Sequence, residues 1–273
     1  MTSHTRPTAR PLPVGALLNK VPEITIYFWV IKILATTVGE TIADFLTETL
    51  GFSLNSASIT VGALLAAVLI AQFRTHRYVA PVYWLAVVLI SVAGTLITDN
   101  LVDDYGVSLW ATTAFFSVAL ALTFAAWYAT ERTLSIHTVT TPRREAFYWS
   151  AILFTFALGT AAGDLLAESV GIGYAASAVL FAAAIAVIAL AHYTLHLDPV
   201  LAFWVAYILT RPLGASVGDL LAQAPADGGL GLGTTATSGL FLLAIAATVA
   251  YLTVTRRDVE TAAGDTSVDR ARA

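Results

Sequence analysis

The sequence FWVIKILATTVGETIAD, residues 28–44, sets the pattern for the whole chain. An aromatic–Trp pair opens it, a glycine follows ten residues after the tryptophan, and an aspartate follows five residues after the glycine. The pattern returns as YWLAVVLISVAGTLITD (83–99), YWSAILFTFALGTAAGD (148–164) and FWVAYILTRPLGASVGD (203–219). The copies start 55, 65 and 55 residues apart, so the chain is a fourfold internal repeat. Its repeated tryptophans are Trp29, Trp84, Trp149 and Trp204.

The composition predicts a polytopic membrane protein. Of the 273 residues, 58% are hydrophobic and 12% are charged, whereas soluble domains carry about 25% charged residues. A span needs roughly 20 apolar residues, and eight stretches qualify, at about 24–47, 54–73, 80–101, 108–130, 146–167, 173–194, 199–221 and 234–254. The lack of cysteine excludes thiolate chemistry. A net charge of −4 without a basic arm argues against nucleic acid as a partner.

The predicted fold class is all-α, with eight transmembrane helices in four parallel helical-hairpin repeats. The repeats fall at about 22–77, 78–132, 142–197 and 198–255, between cytoplasmic tails at 1–21 and 256–273. Lys and Arg precede the first span, follow the last, and lie between spans 2 and 3 and spans 4 and 5; the other loops have none. By the positive-inside rule both termini are cytoplasmic. The tryptophans then mark the inner interface as repeated lipid anchors.

Each copy of the repeat has two spans and one characteristic tryptophan, and this combination resembles a known family. Over about residues 22–255 the chain resembles the four-repeat, uncharacterised "membrane-anchored protein" family of prokaryotes. The resemblance implies the same repeated fold and a place in the cytoplasmic (inner) membrane. It implies little about activity, because the repeat itself is of unknown function.

The four aspartates are the leading candidates for a functional site. They are Asp44, Asp99, Asp164 and Asp219. Each follows its tryptophan by 15 residues, about 22 Å of helix, which places it in the outer half of the bilayer. An intramembrane carboxylate is by default a functional-site hypothesis; the alternative is that each one caps or hydrogen-bonds a neighbouring helix. Small-residue faces would let the four helices converge, at Gly39, Gly94, Gly159, Gly163, Gly214 and Gly218. The acids farther along, Glu48, Asp103, Asp104 and Glu168, are interpreted as solvated loop charges; the alternative is that they attract cations to the mouth of the site.

Three further charges interrupt the apolar stretches. Glu40 occurs in the first repeat alone, four residues before Asp44, so both acids share one helix face. Arg211 lies inside the seventh span, directly before Pro212, and needs a partner at that depth, most simply Glu40 or an aspartate. Lys32 is a second candidate partner, but its position near Trp29 favours extension of its ammonium to the interface.

The sequence leaves three functional hypotheses. The first is a secondary transporter or exchanger for a small hard cation (Mn²⁺, Mg²⁺, Ca²⁺, Na⁺ or H⁺), because Glu40 and the aspartates supply oxygen ligands. The second is a proton-coupled transporter of an organic or anionic solute centred on Arg211. The third is a membrane scaffold with structural aspartates. An enzyme is not expected, since no catalytic motif is visible; no cofactor is expected, and the metal and the oligomeric state are left open.

Overall fold

The computed structural model describes residues 19–259. In this part of the chain eight helices are long and apolar enough to cross a membrane, which confirms the all-α, multi-pass fold. They are α1 (Ile26–Asp44), α2 (Leu54–Arg74), α3 (Ala80–Asp99), α4 (Leu109–Glu131), α5 (Pro142–Asp164), α6 (Tyr174–Leu195), α7 (Pro199–Ala222) and α8 (Thr234–Thr255). Five-residue π-helical segments extend α1, α3 and α5, at Phe45–Thr49, Asn100–Asp104 and Leu165–Ser169. Short 3₁₀ turns lie at Ile136–Thr138 and Pro225–Asp227.

Local sequence chemistry sets where the helices begin and where the chain turns. Five helices start after a side chain that accepts a hydrogen bond from the backbone N–H three residues on: Thr25, Ser53, Ser108, Thr141 and Asp198. This capping satisfies a donor that the helix leaves unpaired. The turns after the three π-helical segments use positive φ angles, which glycine adopts without steric cost, at Gly51, Gly106 and Gly171.

The helices form an inner bundle and an outer layer. The odd-numbered helices are inner helices, with 56–72% of their most apolar windows buried, against 17–28% for the even-numbered outer helices. The inner helices contact one another in a closed ring, in the order α1, α3, α5, α7. Each outer helix packs mainly on the inner helix of the next repeat: α2 on α3, α4 on α5, α6 on α7 and α8 on α1. The repeats therefore interlock around the ring instead of standing as four self-contained hairpins.

Four glycines allow the inner helices to touch. Each accommodates the residue three positions before the glycine of the next repeat: Gly39 meets Ser91, Gly94 meets Phe156, Gly159 meets Arg211 and Gly214 meets Thr36. A Cβ atom on Gly39 would lie 2.6 Å from the Ser91 Cβ, closer than packed atoms approach. Gly163 and Gly218 line the same interfaces, beside Ala215 and Glu40 respectively. The same contact, repeated four times, closes the ring.

The tryptophans mark one end of the inner bundle, here named the Trp end; the opposite end, where the aspartates lie, is the Asp end. Trp84, Trp149 and Trp204 are buried at 2–4% exposure, and Trp29 is partly buried. Each packs edge-on against its aromatic neighbour in sequence. The interpretation as lipid-facing anchors was wrong for the three buried residues, because they pack within the bundle.

The chain termini also contribute to the Trp end. Most of the expected tails lies outside the described residues, at 1–18 and 260–273, yet their inner ends are packed. Lys20 forms a buried ion pair of 2.6 Å with Glu145 at the start of α5. Tyr78 donates a 2.6 Å hydrogen bond to the Asp258 carboxylate, while burial raises the pKa of both groups. These contacts tie both ends of the chain to the bundle.

Candidate functional site

The site rests on a spacing of four residues along the inner helices. On α1 the positions are 28, 32, 36, 40 and 44, and the same steps recur on α3, α5 and α7. Residues at the first four positions are buried on every inner helix, and side chains from different helices meet there. Starting from the Trp end, the bundle axis thus carries an aromatic layer, a layer with Lys32, one with Arg211, one with Glu40 and finally the aspartates.

All four aspartates and Glu40 line one cavity of about 320 Å³ at the Asp end. The cavity wall contains eight carboxyl groups and no lysine or arginine: Glu40, Asp44, Glu48, Asp99, Asp103, Asp164, Glu168 and Asp219. Helix α7 has no π-helical extension, and Gln223, the first residue after its end, takes the fourth position of the outer row. The repeat therefore brings five intramembrane acids, Glu40 and the four aspartates, together around one cavity. Their like charges repel one another at this short range.

Three of the aspartates have no protein partner. Within residues 19–259 the carboxylates of Asp99, Asp164 and Asp219 make neither a hydrogen bond nor an ion pair, and Asp44 accepts one 3.3 Å bond from Gln223. A carboxylate that held the bundle together would show such a bond to a neighbouring helix. The geometry instead directs these groups toward the cavity. In the same part of the chain, no three Asp, Glu or His side chains are grouped closely enough to hold a metal ion directly.

Arg211 lies one layer below the cavity and is bonded to Glu40, which lines it. Its guanidinium is fully buried, and Nη2 donates to Glu40 Oε2 at 3.0 Å, as the sequence predicts. The same nitrogen donates to the hydroxyls of Thr95 and Thr160, the latter at 2.7 Å. Nη1 donates to the backbone carbonyl of Thr36 at 3.2 Å. One arginine therefore joins all four inner helices at the level just below the aspartates.

Lys32 lies deeper and does not reach an interface. Its ammonium is buried, 4.1 Å from the Tyr207 ring centroid and 4.3 Å from that of Phe156, and it donates to Thr210 Oγ1 at 3.2 Å. The expectation that Lys32 extends to the membrane surface was wrong, because α1 is an inner helix and its aromatic neighbours stabilise the cation. Among the described residues Lys32 forms no ion pair, so Arg211 alone pairs with Glu40.

Sequence reasoning named the outer acids but missed the register they share. Glu48, Asp103 and Glu168 are exposed, lie in the π-helical segments and line the cavity mouth, so their expected placement in loops was wrong. Each follows its aspartate by four residues, and Gln223 takes the same step in the fourth repeat. That spacing continues the axial series and would have predicted their common position at the mouth. π-Helical turns are frequent at functional sites.

Comparison with known proteins gives the chain a family and no function. No curated protein and no solved structure matches it. A family described as a Repeat of Unknown Function (DUF347) matches four times, over residues 27–78, 82–133, 147–196 and 202–258. Each match begins next to an aromatic–Trp pair and covers one inner and one outer helix. The chain therefore belongs to the DUF347 repeat family.

Proposed function

We propose that this chain is a secondary transporter or exchanger for a small hard cation, and that the acidic cavity is where the cation enters and binds. The observation that carries the proposal is the set of three aspartates without protein partners, facing one cavity with Asp44 and Glu40. Asp219 is buried and Asp99 and Asp164 are partly buried, and burial of a charged carboxylate that has no partner is costly. A bound cation or a proton would remove that cost.

The ligand chemistry restricts the class of ion. Carboxylate and hydroxyl oxygens suit Mn²⁺, Mg²⁺, Ca²⁺, Na⁺ or H⁺. Because no three of the described acids are grouped for direct ligation, the carboxylates would hold a metal ion through its water shell, as Mg²⁺ favours. Protonation of the same carboxylates when the cation leaves would couple its movement to protons in the opposite direction.

The closed Trp end fits a transporter in one of its two conformations. Below the aspartates the axis is filled by Arg211, Lys32 and the aromatic layer, so the cavity has one mouth. Exchange would need a second conformation that opens the other side. The distribution of Lys and Arg supports a mouth on the outside of a prokaryotic inner membrane, with both termini in the cytoplasm.

The solute-transporter alternative has less support. Its substrate would bind Arg211, yet that guanidinium is buried, paired with Glu40, and absent from the cavity wall. The scaffold alternative predicts aspartates that bond to neighbouring helices, and three of them do not. We propose no enzymatic activity.

The first prediction concerns cation-dependent stability. In detergent, the wild-type protein should melt at a higher temperature when the cation is present, because a ligand that binds only the folded state stabilises it. At ten times Kd the rise should be about 3–5 °C. Asp99→Asn/Asp164→Asn should abolish the rise for that ion. The scan covers Mn²⁺, Mg²⁺, Ca²⁺, Na⁺ and pH.

The matched control is Asp104→Asn/Asp227→Asn, which makes the same chemical change at two acids outside the cavity wall. This variant should keep the full cation response. No response to any cation in the wild type, together with a uniformly lower melting temperature for Asp99→Asn/Asp164→Asn, would favour the scaffold hypothesis.

A further inference from the structure

The guanidinium nitrogen Nη2 of Arg211 lies in a cage of oxygens. Glu40 Oε2 lies 3.0 Å away, Thr160 Oγ1 lies 2.7 Å away, and Thr95 Oγ1 also accepts a hydrogen bond from it. The three oxygen-bearing residues occupy the same position in repeats 1, 2 and 3, on α1, α3 and α5. The fourth repeat has Ala215 there and contributes no oxygen. Three repeats therefore supply the oxygens of the cage, and the fourth supplies the cation. That cation is Arg211, which lies one helical turn before Ala215 on α7.

The cage has the chemistry of a cation site. Its oxygens come from one carboxylate and two hydroxyls, all on residues at most 6% exposed. Hard cations take oxygen ligands of this kind. A single carboxylate among neutral oxygens balances a single positive charge, which is the charge that the guanidinium now supplies. A monovalent ion at the position of Nη2 would leave the charge of this layer unchanged.

Arg211 makes four hydrogen bonds, but within residues 19–259 one of its donors is left unpaired. Arginine frequently binds a carboxylate with two parallel N–H donors, whereas here one nitrogen, Nη2, bonds to Glu40. Nε is buried and has no partner among the described residues. A buried donor without an acceptor destabilises this position of the side chain. One unpaired donor therefore weakens the hold of the site on the guanidinium.

The backbone beside Arg211 also has one bond fewer than a regular helix. Pro212 lies inside α7 and has no N–H to donate to the carbonyl of Ile208. Helix kinks concentrate at such prolines. The turn that carries Arg211 is therefore the part of α7 best able to change its path, and such a change would withdraw the guanidinium from the cage.

We propose that Glu40, Thr95 and Thr160 form a binding site for one alkali-metal cation, Na⁺ or K⁺, and that the Arg211 guanidinium is its built-in competitor. The proposal rests on the proposed transport function in one respect: Glu40 also lines the acidic cavity, and the cation bound here would be the coupling ion of that transporter. In the conformation described, the arginine occupies the site. When Arg211 withdraws, the monovalent cation takes its place and keeps Glu40 neutralised.

Arg211→Met tests the proposal by removing the competitor and leaving the three oxygens. The purified variant is melted in NaCl, KCl and choline chloride at equal ionic strength and fixed pH. We expect Na⁺ or K⁺ to raise its melting temperature above that in choline by about 3–5 °C at ten times Kd. The gain should vanish in Glu40→Gln/Arg211→Met, which lacks the carboxylate. Lys32→Met is the matched control, because it removes a buried cation without freeing the cage.

Every outcome bears on the proposal. Equal melting of Arg211→Met in all three salts, or an equal gain in the double variant or in Lys32→Met, overturns it. If Arg211→Met folds only when Na⁺ or K⁺ is present during extraction, the proposal is supported. If it folds in no salt while Glu40→Gln/Arg211→Met does fold, the cation fails to replace the arginine and the proposal is wrong. Asp99 and Asp164 are intact in all these variants and in the wild type, so each gain is taken as the excess over the wild-type gain in the same salt. Failure here is then distinguishable from failure of the aspartate test.

Discussion

Glu40→Gln is expected to lower the free energy of unfolding by about 3–5 kcal/mol, because removal of one partner from a buried ion pair leaves the other charge uncompensated. Arg211 is fully buried, and Glu40 is the one carboxylate that pairs with it in the described chain. Glutamine keeps the size of the side chain and one acceptor oxygen, so the loss reports the charge. A fall of about 10 °C in the melting temperature of the purified protein would correspond to this cost.

The control for this change is Glu48→Gln. Glu48 lies exposed at the cavity mouth, eight residues farther along the chain, and makes no ion pair in the described residues. The same chemical change there should alter stability by no more than about 0.5 kcal/mol. A comparable loss at both positions would mean that the acidity of the cavity, and not the pairing with Arg211, governs stability.

A double-mutant cycle isolates the pair. Glu40→Gln/Arg211→Met removes both charges, and replacement of a buried ion pair by uncharged groups is often neutral or stabilising. Measured in choline chloride, the double variant should therefore be more stable than Glu40→Gln alone. If the two single losses simply add, the two side chains are not energetically coupled and the arrangement below the cavity needs another explanation.

Hydropathy and spacing predict most of the fold. The eight spans follow from the length of the apolar stretches, since water is absent from the bilayer core and helices alone satisfy the backbone there. The convergence of the aspartates follows from their equal register beside small residues. Neither inference depends on which helices are neighbours. A single sequence is therefore enough to support both.

The sequence does not reveal what surrounds a given helix face. Lys32 was expected to extend to the interface because its distance from Trp29 was read as a depth in lipid. The structure surrounds it with Phe156 and Tyr207, which lie 124 and 175 residues away along the chain. The same limit explains the buried tryptophans and the packing of each outer helix on the following repeat. Each depends on the ring order of the inner helices, which hydropathy does not encode.

The ring contact predicts opposite effects for one substitution at two glycines. Gly39→Ala should destabilise the protein by about 1–3 kcal/mol, because its Cβ would lie 2.6 Å from the Ser91 Cβ and 2.9 Å from the Ser91 backbone carbon. A backbone atom cannot turn away as a side-chain end can, so α1 and α3 must separate. Gly62→Ala, in outer helix α2, meets nothing within 4 Å and should gain up to about 1 kcal/mol from helix propensity.

Melting temperatures of the two variants, measured in one detergent, check the sign of each effect. The cyclic arrangement also names the residue that should relieve the strain. Ser91→Gly removes the side-chain part of the clash and leaves the backbone part, so Gly39→Ala/Ser91→Gly should recover some of the loss but not all of it. Equal stability of Gly39→Ala and Gly62→Ala would mean that α1 and α3 do not pack at the described distance. The closed ring that brings the four aspartates to one cavity would then be in doubt, because all four of its contacts follow the same geometry.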